Sequence, residues 1–139
     1  MIWAIGKNNV FSASSDPHMD STNVALSGQS YAHTATLTSG LTLNWNVVGD
    51  ALQLQAVYSG VDWIGVGISD TGDMVGPSTA RSSVVICNPA NKTTMAQTYK
   101  VEAASYAGLV PHTYPGVSGV GCVQSDGQTV ITYTRKVCV

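Results

Sequence analysis

Met74 follows the polar loop Asp70-Thr71-Gly72-Asp73 and precedes Val75-Gly76-Pro77, so its thioether stands just beyond an apolar, glycine-bearing run. From a loop in that position the sulfur could reach a ligand pocket. The competing reading is a flexible filler of the hydrophobic core, the commonest use of methionine. Three histidines are candidates for a second donor group. His33 lies in the alternating run Tyr31-Ala32-His33-Thr34 and reads as a strand residue on a polar face. His112, in Val110-Pro111-His112-Thr113-Tyr114-Pro115, sits in a loop that could fold over a pocket. His18 belongs to a polar stretch, Lys7 to Ser21, that reads as a loop.

Other reactive groups are sparse. Asp62, Asp70 and Asp73 lack the remaining oxygen ligands of a calcium loop and read as a solvated turn. No nucleophile elbow, HExxH pair, phosphate loop or dinucleotide fingerprint occurs, so the chain reads as a carrier or binding module and not as an enzyme. Cys87, Cys122 and Cys138 lack the CxxC spacings of zinc or thioredoxin-like sites, and their odd number implies one disulfide and one leftover thiol. Cys87 and Cys122 both fall at strand ends flanking a long insertion, and a bond between them would contribute roughly 3–4 kcal/mol in the chain-entropy model. Cys138 then pairs outside this chain or stays free. Asn91-Lys92-Thr93 is an N-glycosylation sequon beside the turn signal Asn88-Pro89-Ala90-Asn91. Sequon and cysteines together favour a secreted or cell-surface location. The apolar run Met1 to Gly6 is too short for a signal peptide, so the start of a secreted product is expected upstream of Met1.

The elements that must hold these residues are strands. At 139 residues the chain is expected to form a single domain spanning 1–139. Six Lys and Arg against eight Asp and Glu give a net charge of −2, which excludes the basic face of a nucleic-acid binder. No run of about 18 apolar residues reads as a membrane span. Thr34 to Thr38 leads through Ser39-Gly40 into Leu41, Leu43, Trp45 and Val47, with Thr42, Asn44 and Asn46 on the other face. Val48-Gly49-Asp50 then turns the chain into Leu52, Leu54, Ala56 and Tyr58. Period-two alternation of this kind marks half-buried strands. Trp63-Ile64-Gly65-Val66-Gly67-Ile68 is apolar on both faces, with glycines where side chains would otherwise stand, as in a central strand with something packed closely on it. Further strands are expected at Ser83 to Cys87, Met95 to Glu102 and Thr129 to Val137, with a short one at Ile2 to Ile5. Gly108 to Gly121 reads as irregular.

Leu43-Asn44-Trp45-Asn46-Val47, Leu52-Gln53-Leu54, Gly60-Val61-Asp62-Trp63-Ile64-Gly65-Val66-Gly67-Ile68-Ser69 and Met74-Val75-Gly76 resemble the DOMON family in order and spacing. Asp126 to Arg135 is similar to that family's strand ending in an arginine. The resemblance implies an all-β, immunoglobulin-like antiparallel β-sandwich with its main body over residues 31–137. In haem-binding members, such as the cytochrome domain of cellobiose dehydrogenase and plant ascorbate-reducible cytochromes, the methionine after this strand is an axial ligand, a role that maps onto Met74.

The family's second ligand is a histidine after a late strand often reading Trp-Ala-x-Gly. Here Trp3-Ala4-Ile5-Gly6 stands at the opposite end, with His18 twelve residues beyond Gly6, so residues 1–21 resemble the family's C-terminal strand and ligand loop. Two arrangements account for this order: a circularly permuted domain, or one register of a tandem array in which the tail of one unit precedes the body of the next. A sandwich with neighbouring termini tolerates either. In the first, His18 and Met74 face one haem; in the second, they serve neighbouring copies of the domain unless the chain folds back. His112 is the alternative ligand. Trp3, Trp63 and Tyr106 are candidates to wall a haem crevice, each with a core role as the default. The resemblance thus implies a b-type haem electron-transfer module working with a redox partner protein or domain. The alternative is a carbohydrate-binding or structural module of an extracellular glycoprotein without haem, with Trp63, Tyr106 and Tyr114 as the available aromatic faces.

Overall fold

In the computed structural model of the chain, residues 2–6 are described as backbone and residues 30–137 are described except 70, 80, 81 and 92. The alternating runs form β1 (Ile2–Gly6), β2 (His33–Thr38), β3 (Leu41–Val48), β4 (Ala51–Tyr58), β5 (Trp63–Ile68), β6 (Ser83–Cys87), β7 (Ala96–Val101), β8 (Leu109–Pro111), β9 (Val117–Ser125) and β10 (Gln128–Lys136). They make two antiparallel sheets packed as a β-sandwich: a front sheet ordered β1-β5-β6-β7-β8 and a back sheet ordered β2-β3-β4-β10-β9. No helix among the described residues is long and apolar enough to cross a membrane.

The core lies between the sheets because each strand turns its apolar row inward. Leu41 and Leu43, Leu54 and Ala56, and Ile131 and Tyr133 from the back sheet meet Ile64, Val66 and Val85 from the front. Full burial of each such aliphatic side chain stabilises by roughly 1.5–3 kcal/mol. A disulfide between Cys87 of β6 and Cys122 of β9 ties the two sheets, with Cα atoms 5.3 Å apart. The Tyr133 hydroxyl donates to the carbonyl of Val66 across the core at 3.4 Å, and the Arg135 guanidinium donates to the Ser83 hydroxyl.

The two outer faces differ. On the back sheet the outward row is polar, and Asn44 donates to its cross-strand neighbour Gln55 at 2.9 Å. On the front sheet the outward row is apolar: Val84, Ile86 and Val101 are buried there, with Trp63, Tyr99 and Leu109 packed against them. A strand apolar on both faces has its second face covered by something other than the sandwich core, and here the loops around Met74 and Tyr106 provide part of that cover.

The stretch read as irregular, Gly108 to Gly121, is instead strand over Leu109–Pro111 and from Val117 onward. Gly119 adopts φ +62°, where the β9–β10 register slips between Thr132 and Thr134, so this glycine marks a bulge within a paired strand and not a break in it. The Asp126-Gly127 signal is realised as the β9–β10 hairpin turn, with φ +52° and +76°, the positive pair that matches strand twist.

Candidate functional site

The outer face of the front sheet carries a cavity of about 190 Å³. Its floor is Gly65, Val84 and Ile86, its walls are Trp63, Val101 and Leu109, and Met74 and Tyr106 stand at its edge. Gly65 makes the floor low. A Cβ there would lie 3.3 Å from the side chains of both Ile86 and Val84, and anything longer would enter the cavity. A second cavity of about 240 Å³ adjoins the first, sharing Trp63, Ile86, Tyr106 and Leu109, and adds Asn88, Asn91 and Tyr99. Joined, the two fall at the lower end of the roughly 300–1,000 Å³ of typical ligand pockets.

The loop bearing Met74 is fastened from beneath. The Asp73 carbonyl accepts the hydroxyls of Ser69 at 2.6 Å and Ser82 at 2.8 Å, and the Ser82 backbone N–H donates to the carbonyl of Val75 at 3.5 Å. Ser82 is buried at 1% exposure, and its own carbonyl accepts the N–H of Val101 at 3.0 Å. Met74 is therefore bracketed by two fixed residues while its side chain stays 45% exposed. The core-filler reading of this methionine does not hold. On the far lip, the Glu102 N–H donates to the Gly108 carbonyl at 2.7 Å, closing a tight loop that presents Tyr106 at 77% exposure. Gly108 is required there, since a Cβ would fall 2.4–2.7 Å from backbone atoms of Ala103. Burial pushes the Tyr99 phenol above its ordinary value, with Tyr106 adding to the shift, and its hydroxyl donates to Gln97 at 3.3 Å.

Of the residues singled out in the sequence, Met74, Trp63 and Tyr106 come together at this one cavity. Trp3 lies in β1, which pairs with β5: Trp3 is opposite Val66, whose side chain is in the core, while Ala4 is the residue opposite Gly65. His18, Asp70 and Cys138, and the loop Lys7 to Ser21, lie outside the described residues. His112 lines neither cavity; it is exposed, with its ring edge-on to Tyr114 at 4.6 Å and its backbone N–H donated to Thr98. His33 is a strand residue as expected, but it pairs with Trp45 and stacks on its ring at 5.4 Å, which places it in the row of Trp45 and not on a polar face. Cys87 and Cys122 form the disulfide expected from the layout. Among the described residues, no group of three or more His, Cys, Asp or Glu side chains could hold a metal ion.

Ser82 was not singled out in the sequence, because a serine ahead of a strand carries no signal of what it anchors. The same holds for Val84, Ile86 and Val101, whose row reads as core until the topology leaves it on an outer face.

Searches against protein-family models, curated proteins and solved structures return no match to this chain.

Proposed function

We propose that the chain is a DOMON-type electron-transfer module that binds a b-type haem against the outer face of the front sheet, with Met74 as one axial ligand. The observation that carries this reading is the apolar cavity with Met74 at its edge, in a loop held through the residues on either side of it, and floored by a glycine in the Trp-Ile-Gly-Val-Gly strand. Hydrocarbon and aromatic walls fit the body of a porphyrin, and a thioether is a known axial donor to haem iron. Trp63 and Tyr106 would wall the group and Met74 would hold it, with His18 as the preferred second ligand; His112, the alternative read from the sequence, lines neither cavity. When bound, haem would supply a reversible one-electron carrier, held by Met74 and a histidine. The protein's own contribution is to fix the Met74 loop through Ser69 and Ser82 and to exclude water with an apolar lining.

Pairing of β1 with β5 within the chain supports the permuted arrangement, since it sets Trp3-Ala4-Ile5-Gly6 beside the strand that leads to Met74. The expected setting is a secreted or cell-surface protein with a redox partner protein or domain. Haemin titration of the parent and of His18→Ala and His112→Ala tests the reading. A stoichiometric six-coordinate complex that loses one ligand in His18→Ala is expected. Absence of any stoichiometric complex in the parent would remove the proposal.

A second reading has its own observation: the adjoining cavity sets the amides of Asn88 and Asn91 beside Trp63, Tyr99 and Tyr106, the aromatic-plus-polar lining a sugar would use. Calorimetric titration with mono- and oligosaccharides on haem-free protein separates the two, because heat with a glycan and none with haemin reverses their order.

A further inference from the structure

We propose that Asn91 carries an N-linked glycan whose first sugars lie over the adjoining cavity, so that carbohydrate attached to the chain itself covers part of the apolar outer face of the front sheet. Asn91-Lys92-Thr93 is the one N-x-Ser/Thr sequence in the chain. It sits on the β6–β7 connection, where the Asn88 N–H donates to the Met95 carbonyl at 2.7 Å and the Asn91 N–H to the Asn88 carbonyl at 3.0 Å. This turn delivers Asn91 to the edge of the cavity lined by Trp63, Tyr99 and Tyr106, and leaves it exposed. Its Oδ1 accepts the N–H groups of Thr93 and Thr94 at 3.3 and 3.1 Å, so the amide is oriented with its oxygen toward the loop. The nitrogen, which is the atom that takes the sugar, is the other substituent on the same planar carbon and is not the atom engaged by these two N–H groups.

The transfer is balanced with a polyprenyl-diphosphate-linked oligosaccharide as donor. A bond forms between Asn91 Nδ2 and C1 of the reducing-end sugar, the C1–oxygen bond to the diphosphate breaks, Nδ2 loses a proton, and the lipid diphosphate leaves. Once attached, the first sugar is one bond from a side chain that already lines the cavity, and the rings of Tyr106 and Tyr99 offer faces for its C–H groups. The inference rests on the secreted setting of the proposed function and not on haem.

The test produces the full chain through a eukaryotic secretory pathway and compares it with Thr93→Val, which removes the sequon and keeps Asn91. Intact mass before and after enzymatic removal of N-glycans, on protein recovered from the medium, is expected to show one glycan in the parent and none in the variant. Removing the glycan from folded protein is expected to raise the fluorescence of an apolar dye, because it uncovers apolar surface, and Tyr106→Ala is expected to shrink that rise. Secreted, folded parent without a glycan would overturn the proposal, as would a glycan whose removal leaves dye binding unchanged. Both measurements are made on haem-free protein, so failure of the haem reading registers separately.

Discussion

Replacing Gly65 by leucine should close the cavity without unfolding the protein. At Gly65 a Cβ would meet Ile86 Cγ1 and Val84 Cγ2 at 3.3 Å, side-chain atoms that can give by a few tenths of an ångström. Gly65→Ala therefore strains little, and the roughly 0.5–1 kcal/mol gained by removing a glycine from a strand interior offsets that strain. Leucine adds three further carbons, and the open space above the floor is the 190 Å³ cavity itself. Thermal melts of both variants should lie close to the parent. A bound ligand must then be displaced or strained, and overpacking of this kind costs about 1–3 kcal/mol, which weakens binding about 5- to 150-fold. Equilibrium titration with haemin, read by absorbance and by quenching of tryptophan fluorescence, measures the ratio directly. A folded Gly65→Leu protein that binds haemin as tightly as the parent would refute the placement of the ligand on this face.

Ser82→Ala removes the buried hydroxyl from Asp73, whose carbonyl keeps Ser69 as a partner. A stability loss of about 1 kcal/mol is expected in urea unfolding, with haemin bound more weakly because the Met74 loop loosens; unchanged affinity would detach Ser82 from the site. Replacing Cys87 and Cys122 together by alanine opens a loop of 35 residues' separation and should lower stability by about 4 kcal/mol in the chain-entropy model, measured against the oxidised parent. Burial holds the Tyr133 phenol well above its usual 10.0. Below pH 10 its contribution is constant. Above pH 10 the unfolded chain releases this proton while the folded one keeps it, so stability should fall by about 1.4 kcal/mol per pH unit until the buried group itself ionises. Tyr133→Phe should remove this share of the decline in unfolding measurements between pH 10 and about 11, leaving the part due to Tyr31, Tyr58, Tyr99 and Tyr114, whose phenols burial also raises; an equal decline in both proteins would assign it elsewhere.

Where alternation is strict, the fold was legible in the sequence. Leu41–Val48 and Ala51–Tyr58 form within one residue of the bounds that the pattern implies, Val48 being strand and not turn, because one polar and one apolar face leave a strand a single sensible register. Trp63–Ile68 and Ser83–Cys87 were equally plain as strands. Their two-sided apolarity could not say which face is core, and that question decides where the site lies. Gly108 to Gly121 misled because glycine at a bulge and glycine in a loop look alike without a partner strand. The position of Met74 in its loop was readable, whereas its anchoring by Ser82 depends on contacts between residues seven and nine positions apart that no local pattern encodes. The Cys87–Cys122 pair forms as expected, although only Cys87 ends its strand: Cys122 stands inside β9, opposite Ile131 of β10. Facing strands of the two sheets bring the two cysteines within bonding distance.

The central claim, a haem held through Met74 on the outer face of the front sheet, is tested most directly by recording absorption spectra of haemin-reconstituted parent and Met74→Ala side by side, oxidised and reduced. The account predicts a six-coordinate low-spin spectrum in the parent that becomes five-coordinate or water-ligated in the variant. Indistinguishable spectra from the two proteins would contradict it.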